Sequence, residues 1–272
     1  MKRLFIELTT CLFILSCCSF LSFAESKNQK LVTAQSAILV DVTANRVLYS
    51  KKRHKKFAPA STIKVLTGLI AIEQLGLKKN VKISRKASKA EPTKVWLPEG
   101  AVYKSGDLIN AVLISSANDA SIAVAEAVSG SEWRFTQLMN KRAKAMGAKN
   151  SNFLNASGLP VKGQYSTVYD LYRIMKAAIK NDDVYNIMRT KRKKIKGTKG
   201  KTIKLVNHNK LLFKKSYPLV VLKTGYTKAA RHCYVGKIYY NGRQYVFAFL
   251  KSRKPWSDIN AFINLIKKKL KS

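Results

Sequence analysis

The chain has 272 residues, of which 52 are lysine or arginine and 14 are aspartate or glutamate, giving a formal net charge of +38. This length is enough for one large domain or two small ones. Three of the four cysteines precede residue 19, so a chain that loses its leader keeps only Cys233. Such an exported form has no internal disulfide bond, which excludes a disulfide-stabilised scaffold.

The first 24 residues have the pattern of a secretory signal peptide. Lys2 and Arg3 form a positive start, an apolar stretch follows, and Ser22 and Ala24 provide the small residues of a cleavage site. The apolar part is too short and too often interrupted by polar residues for a membrane span. We expect cleavage after Ala24 and export to the periplasm or cell envelope, with lipidation at Cys17 as the alternative.

The amino-terminal half predicts a hairpin followed by helices. Two β-rich runs at 37–40 and 46–49 flank a Thr-Ala-Asn turn, which is typical of a hairpin. A buried apolar helix begins near Ala60 and stops at Gly76. Further helices are predicted to begin near Ser105, Ala120, Glu132 and Ser166, and residues 191–201 are a charged loop or hairpin.

The carboxyl-terminal part predicts strands and a covering helix. A β-run ends near Leu222, and two more runs, joined by Asn241-Gly242, form a strong hairpin signal. Residues 256–270 have helical periodicity. This helix covers the hairpin or, alternatively, lies on a membrane surface. We therefore predict an α/β (α+β) fold, in which one antiparallel sheet is built from both chain ends and covered by helices. An all-helical subdomain is inserted at about residues 80–165.

Ser61 and Lys64 stand at the start of the first helix. Residues three apart share a helix face, so the hydroxyl and the amine can touch. A serine hydroxyl needs an adjacent base to act as a nucleophile, and a neutral lysine amine is such a base. Taken alone, the pair is better explained as a helix cap and a surface charge, because caps are common.

Two further motifs change that balance. Ser116-Ala117-Asn118 lies between two predicted helices, and Lys223-Thr224-Gly225 follows a late β-run. Each alone is explained as a helix stop or a strand end. In this order and on these elements, the three motifs are typical of penicillin-binding proteins and serine β-lactamases.

Longer stretches resemble the D-alanyl-D-alanine carboxypeptidases, the low-molecular-mass penicillin-binding proteins. The resemblance implies a β-lactamase/transpeptidase-like fold and a serine DD-peptidase that trims the terminal D-alanine from peptidoglycan stem peptides. It also implies acylation by β-lactam antibiotics, a single domain over residues 25–272 without the β-rich carboxyl-terminal domain of many relatives, and no metal or cofactor. The matching stretches are 58–64, 115–120, 152–159, 166–171 and 223–230.

The resemblance also implies roles for individual residues. Ser61 attacks the carbonyl, Lys64 takes its proton, and Ser116 passes a proton to the leaving amine. Backbone N–H groups of Ser61 and Tyr226 form the oxyanion hole. The remaining substrate-binding candidates are Asn118, Lys223, Thr224, Gly225, Thr227 and His208.

Some positions depart from the family pattern. Val220-Val221 stands where the family often has Asp-Gly, His208 where it often has arginine, and Arg231 where it usually has glycine. These changes affect the strand edge and the holding of the substrate carboxylate, not the nucleophile. His208 is either a substitute for the arginine or an ordinary loop histidine.

Three other functions remain open at this point. A DD-endopeptidase uses the same machinery. A class A β-lactamase needs a glutamate between the second and third motifs, whereas the only acidic residues between 133 and 222 are Asp170, Asp182 and Asp183. A non-catalytic wall-binding protein is disfavoured by the intact motifs.

The basic charge predicts anionic contacts. An exported chain meets wall polymers and anionic lipid head groups, so the basic runs either form a solvated surface with no specific ligand or contact the wall or membrane surface. The Lys/Arg runs at 51–56, 191–201 and 267–271 lack the interleaved aromatic residues of a nucleic-acid stacking platform. We expect no nucleic-acid partner.

Overall fold

The computed structural model describes residues 31–200, 202–215 and 218–271, so the predicted signal peptide lies outside the described residues. The strands are β1 (Ser36–Asp41), β2 (Arg46–Lys51), β3 (Asn80–Lys82), β4 (Val102–Lys104), β5 (Arg192–Lys196), β6 (Thr202–Val206), β7 (Leu219–Thr227), β8 (Arg231–Tyr240) and β9 (Arg243–Ser252). The helices are α1 (Lys64–Leu75), α2 (Arg85–Ser88), α3 (Ser105–Ile114), α4 (Asn118–Ser129), α5 (Glu132–Ala145), α6 (Val168–Ala178), α7 (Asp182–Arg189) and α8 (Pro255–Lys271).

The main sheet has five strands in the order β2-β1-β9-β8-β7, and every neighbouring pair is antiparallel. The first two strands come from the amino-terminal end and the other three from the carboxyl-terminal end, as predicted. Asn241 and Gly242 join β8 to β9 with φ values of 47° and 70°. Positive φ at both positions is what a two-residue hairpin turn requires, so the Asn-Gly prediction is confirmed.

Alternate residues of β9 divide between two cores. Val246 and Ala248 face the helical side, whereas Phe247 and Phe249 pack with α8 on the opposite face. This follows from the period of two in a β-strand. The apolar face of α8, which includes Phe262, is buried against the sheet. The surface-anchor alternative therefore lacks an exposed apolar stripe, and no described helix is both long and apolar enough to span a membrane.

The inserted region differs from the prediction because it is not all-helical. The short strands β3 and β4 pair within it, and each has only three residues, too few for an alternating pattern to be visible. The charged segment after residue 190 is a hairpin of β5 and β6. Helix α7 is not among the predicted elements, although Asn181 caps it by accepting a hydrogen bond from the Val184 N–H.

Asp258 fastens the beginning of the described chain to the sheet. Its buried carboxylate accepts hydrogen bonds from the backbone N–H groups of Thr33 and Ala34, at 2.6 and 3.1 Å, and from Ser252 Oγ at 2.6 Å. The end of β9, the start of α8 and residues 33–34 are thereby held together at one end of the sheet.

Candidate active site

The nucleophile candidate lies on a tight turn at the head of α1. Residues Ala60–Ile63 form a single 3₁₀ turn that leads directly into the helix. Ser61 is half-buried, and Lys64 is fully buried with its Nζ 3.1 Å from Ser61 Oγ. The predicted contact between these two side chains is therefore confirmed.

The amine of Lys64 has two further partners. Its Nζ lies 2.6 Å from Asn118 Oδ1 and 2.5 Å from the Ser157 carbonyl oxygen, and both of these atoms can only accept. Asn118 is held in this orientation because its Nδ2 donates to the Glu91 carbonyl. A neutral amine has two hydrogens, which these two acceptors occupy, and its lone pair is then left for the Ser61 hydroxyl.

Burial favours the neutral form of this amine. Desolvation holds the pKa of Lys64 well below its usual value, and the nearby positive charge of Lys223 lowers it further. The carboxylate of Asp119 acts in the opposite direction. That carboxylate is partly occupied as an acceptor for the backbone N–H groups of Val95 and Leu97. Lys64 is therefore suited to accept a proton at neutral pH.

A second lysine–serine pair faces the first. Lys223 is 2% exposed, and its Nζ donates to Ser116 Oγ and to the Thr224 carbonyl, each at 2.8 Å. Burial lowers the pKa of Lys223 to about 7. Ser116 has a φ of 58°, a left-handed conformation that a serine rarely adopts and that is common at functional sites.

Two glycines allow close packing around the nucleophile turn. A Cβ on Gly225 of β7 would lie 2.8 Å from the Ser61 nitrogen. A Cβ on Gly158 would lie 2.0 Å from the Ala60 carbonyl oxygen, and Gly158 has a φ of +84°. Because neither position has room for a side chain, the edge strand β7 and the 152–159 loop both pack against the turn.

The cleft in front of Ser61 has a volume of about 370 Å³. Ser61, Ser116 and the backbone of β7 are all on its surface, whereas the two lysines lie beneath it. The lining residues are Ser61, Thr93, Ser116, His208, Lys210, Thr224, Gly225, Tyr226, His232, Tyr234 and Trp256.

A family model described as D-alanyl-D-alanine carboxypeptidase matches residues 23–253. The chain belongs to the D-alanyl-D-alanine carboxypeptidase family. DacF of Bacillus subtilis is 36% identical over 206 residues, which cover 74% of this chain and 52% of that protein. DacB2 of Mycobacterium tuberculosis is 32% identical over 220 residues, covering 80% and 74%. The chain thus spans about half the length of several curated relatives.

Solved structures of the family have the same fold. The D-alanyl-D-alanine carboxypeptidase of Mycobacterium tuberculosis H37Rv matches with a TM-score of 0.81 and 30% identity, over 86% of this chain and 90% of that one. Penicillin-binding protein D2 of Listeria monocytogenes has a TM-score of 0.73 and 25% identity, over 87% and 96%. The Streptomyces K15 DD-transpeptidase, at 22% identity and a TM-score of 0.78, shares the fold. The predicted fold class is therefore confirmed.

His208, a candidate substitute for the family's arginine, is exposed in the structure. The residue is at the cleft surface, yet partial burial of its ring, with Lys223 and Lys64 nearby, lowers the pKa of His208 to about 4. Lys210 lies two residues later, is exposed and lines the same cleft. The sequence reasoning did not single out Lys210.

Not all of the other residues singled out from the sequence line the cleft. Tyr226 lines the cleft and is 54% exposed. Thr227 does not line it, and its hydroxyl instead accepts from the Ala230 N–H at 3.0 Å in the turn after β7. The substituted pair Val220 and Val221 is buried in the two cores on either side of the sheet, away from the cleft.

The Ser157 carbonyl was also missed by the sequence reasoning. It completes the surroundings of the Lys64 amine, but a backbone acceptor has no residue-type signature. The only available signal was the resemblance of the 152–159 stretch to the family, to which no role had been attached.

Proposed function

We propose that the protein is a serine-type D-Ala-D-Ala carboxypeptidase, which removes the terminal D-alanine of peptidoglycan pentapeptides through an acyl-enzyme on Ser61. The observation that carries this proposal is the placement of Lys64, whose lone pair is left for the Ser61 hydroxyl when its two hydrogens are held by Asn118 and Ser157. Membership of the family supports the same reaction.

In the acylation step, the Ser61 hydroxyl loses its proton to Lys64 as Oγ attacks the carbonyl carbon of the penultimate D-alanine. The negative charge that forms on the carbonyl oxygen is bound by the backbone N–H groups of Ser61 and Tyr226. The close approach of Gly225 to the Ser61 nitrogen supports this pairing, because it brings the edge of β7 next to the start of α1.

The leaving D-alanine amine then needs a proton. The Ser116 hydroxyl supplies this proton, and Lys223, which donates to Ser116 Oγ at 2.8 Å, then reprotonates Ser116. A lysine with a pKa of about 7 exchanges protons readily at neutral pH. Water then attacks the ester and the same groups act in reverse, releasing the shortened peptide.

The substrate lies along the edge of β7 as an added strand. Its terminal carboxylate is held by the Thr224 hydroxyl and the ammonium group of Lys210. His208 is neutral at pH 7 and contributes at most a hydrogen bond, whereas the buried Lys223 is occupied by Ser116 and by the Thr224 carbonyl. Asn118 positions Lys64.

β-Lactams acylate the same serine and leave slowly. The penicillin-binding protein D2 structure contains bound cefotaxime, which supports β-lactam binding by this relative's fold. None of the described residues that line the cleft is acidic, so none of them provides a carboxylate to activate a deacylating water. The β-lactamase alternative is disfavoured on this ground.

The protein acts outside the cytoplasmic membrane, in the periplasm or cell envelope. Its leader sequence and its substrate class both support export. The large excess of lysine and arginine favours residence near an anionic wall or membrane surface.

Release of D-alanine tests this function. The mature protein and its Ser61→Ala variant are incubated with a pentapeptide ending in D-Ala-D-Ala and, separately, with cross-linked peptide dimers. We expect free D-alanine from the pentapeptide with the first protein only. Cleavage of dimers in preference to the pentapeptide would indicate a DD-endopeptidase, and release of D-alanine by both proteins would exclude Ser61 as the nucleophile.

A further inference from the structure

A basic pocket adjoins the catalytic cleft. Its volume is about 430 Å³, and Tyr226 and His232 line both the pocket and the cleft. The cationic residues of the pocket are Arg231, Lys251 and Arg253. We refer to this cavity, at the end of β9 and the start of β8, as the basic pocket.

The basic pocket continues into a second concavity of about 710 Å³, and both are lined by Gln35 and Arg253. The cations of the second concavity are Lys51, Lys52, Lys55 and Lys254, and no acidic residue in the described part of the chain lines either cavity. The side chains of Arg231, Lys251 and Arg253 have no ion-pair partner among the described residues. Asp258 contacts Ser252, which lines the basic pocket, but the Asp258 carboxylate is buried. It already accepts hydrogen bonds from the backbone of residues 33–34 and from the Ser252 hydroxyl.

The backbone of three of these cationic residues has positive φ, which is energetically unfavourable for any residue with a side chain. Eight described non-glycine residues have positive φ, and the charged ones among them are Lys52, Arg231 and Lys251, at 46°, 55° and 57°. All three line the basic pocket or its continuation. A residue with a Cβ is less stable than glycine in this region of φ, so the backbone at each of these three cations is strained.

The orientation of the substrate in the proposed function brings its acyl side towards this pocket. In the proposed function the peptide runs antiparallel to β7, with its scissile carbonyl at Tyr226 and its terminal carboxylate near Thr224. The residues before the scissile bond therefore pass Thr227, whose partner across the strands is Arg231. Two or three extended residues span roughly 7–10 Å, at about 3.4 Å each.

We propose that the basic pocket binds a carboxylate carried by the substrate on the acyl side of the scissile bond, two or three residues before it. The guanidinium group of Arg231 is the main partner, since it can pair with a carboxylate through two parallel hydrogen bonds. Lys251 adds a second positive charge. The enzyme thereby prefers peptides with a free acyl-side carboxylate over peptides in which it is a carboxamide, and this inference rests on the proposed function.

Two synthetic pentapeptides test this preference. Both are L-Ala-γ-D-Glu-L-Lys-D-Ala-D-Ala, and one carries a carboxamide in place of the α-carboxylate of D-glutamate. We expect the mature protein to have a kcat/KM for D-alanine release about tenfold higher with the acid, the scale of one charge-assisted hydrogen bond. Arg231→Gly should bring the acid-to-amide ratio near one, whereas Arg231→Lys should keep part of it.

The matched control is Lys82→Gln, which removes one exposed charge from β3 at a residue that lines neither the cleft nor the basic pocket. It should leave the ratio at about ten. A ratio near one in the unmodified protein, or an unchanged ratio in Arg231→Gly, would overturn the inference.

Binding separates this inference from the proposed function. The Kd of each peptide is measured with Ser61→Ala, which needs no turnover. We expect tighter binding of the acid, lost when Arg231→Gly is added. Equal Kd values would overturn the pocket assignment, whereas a difference in Kd without D-alanine release by the unmodified protein would uphold the pocket and contradict only the reaction.

Discussion

Asn118 Oδ1 lies 2.6 Å from Lys64 Nζ, and this contact orients the amine toward Ser61. Together with the Ser157 carbonyl it occupies both hydrogens of a neutral amine. The amide of Asn118 is suited to this position because it accepts a hydrogen bond without adding charge. A carboxylate in its place would hold Lys64 in the protonated form.

Asn118→Asp tests that electrostatic role. The substitution keeps the shape of the side chain but places a negative charge beside Lys64, so the pKa of the lysine rises and less free amine is present at pH 7. We expect a 10- to 100-fold slower acylation by penicillin at neutral pH, on the order of one to two pKa units. The acid limb of the pH–rate profile should also move to higher pH.

Asn118→Ala is the matched variant. It removes the acceptor without adding charge, so its rate should fall at every pH with little displacement of the acid limb. A profile for Asn118→Asp that is lower but not displaced would contradict the electrostatic role and leave Asn118 with a positioning role alone.

Lys223 gives a pH dependence of stability. Its pKa is about 7 in the folded protein, below the usual value of 10.5. Between these values the unfolded state binds the extra proton, so the free energy of unfolding rises with pH, by up to about 1.4 kcal/mol per unit. Below pH 7 both states are protonated and the penalty of the buried charge is complete.

Lys223→Met removes this dependence. The difference in Tm, variant minus unmodified protein, should be most positive below pH 7 and should decrease as pH rises toward 10. The loss of the hydrogen bonds to Ser116 and Thr224 changes the Tm difference by the same amount at every pH. Thermal unfolding of both proteins from pH 6 to 10 measures this difference in Tm. A Tm difference that increases with pH would contradict the assignment of a lowered pKa to Lys223.

Gly158→Ala tests the packing against the nucleophile turn. A Cβ there meets the Ala60 carbonyl oxygen, so both the backbone conformation and the clash oppose the substitution. We expect a loss of roughly 2–4 kcal/mol in stability and of most penicillin labelling.

Gly163→Ala is the control for that substitution. Gly163 has a φ of +88°, similar to that of Gly158, but its Cβ would have only the Leu154 side chain at 3.6 Å. It should therefore lose only the conformational part, about 1 kcal/mol, and retain labelling. Equal losses by both variants in urea unfolding would show that the clash is relieved at little cost.

Lys210→Gln tests the carboxylate contact. Removing the ammonium group should raise KM for the pentapeptide about 5- to 20-fold with a small change in kcat, since the contact is made before and during the reaction. Lys82→Gln, at an exposed site outside the cleft, should leave both constants unchanged. A loss confined to kcat would argue that Lys210 does not hold the ground-state substrate.

Much of the fold follows from local signals. The Asn241-Gly242 turn and the helix stop at Gly76 are encoded by neighbouring residues, and both are visible without tertiary information. The sequence predicts a short extended piece at Val81 and Ile83, but the pairing of β3 with β4 depends on contacts made elsewhere and is not predictable from so few residues.

The site was predictable to the extent that it depends on side-chain type. Ser61, Lys64 and Asn118 meet as the motif order suggested. The Ser157 carbonyl, the neutral state of His208 and the exposure of Lys210 depend on how distant segments pack, which the residue types alone do not specify.

The most direct test of the central claim is the mass of the protein after exposure to penicillin. The mature protein should gain one penicilloyl group on Ser61 and retain it over hours, because no carboxylate among the residues that the structure describes lines the cleft to activate water. The Ser61→Ala variant should gain none. Equal labelling of both proteins, no labelling of the unmodified protein, or rapid loss of the adduct with turnover of the antibiotic would contradict the account.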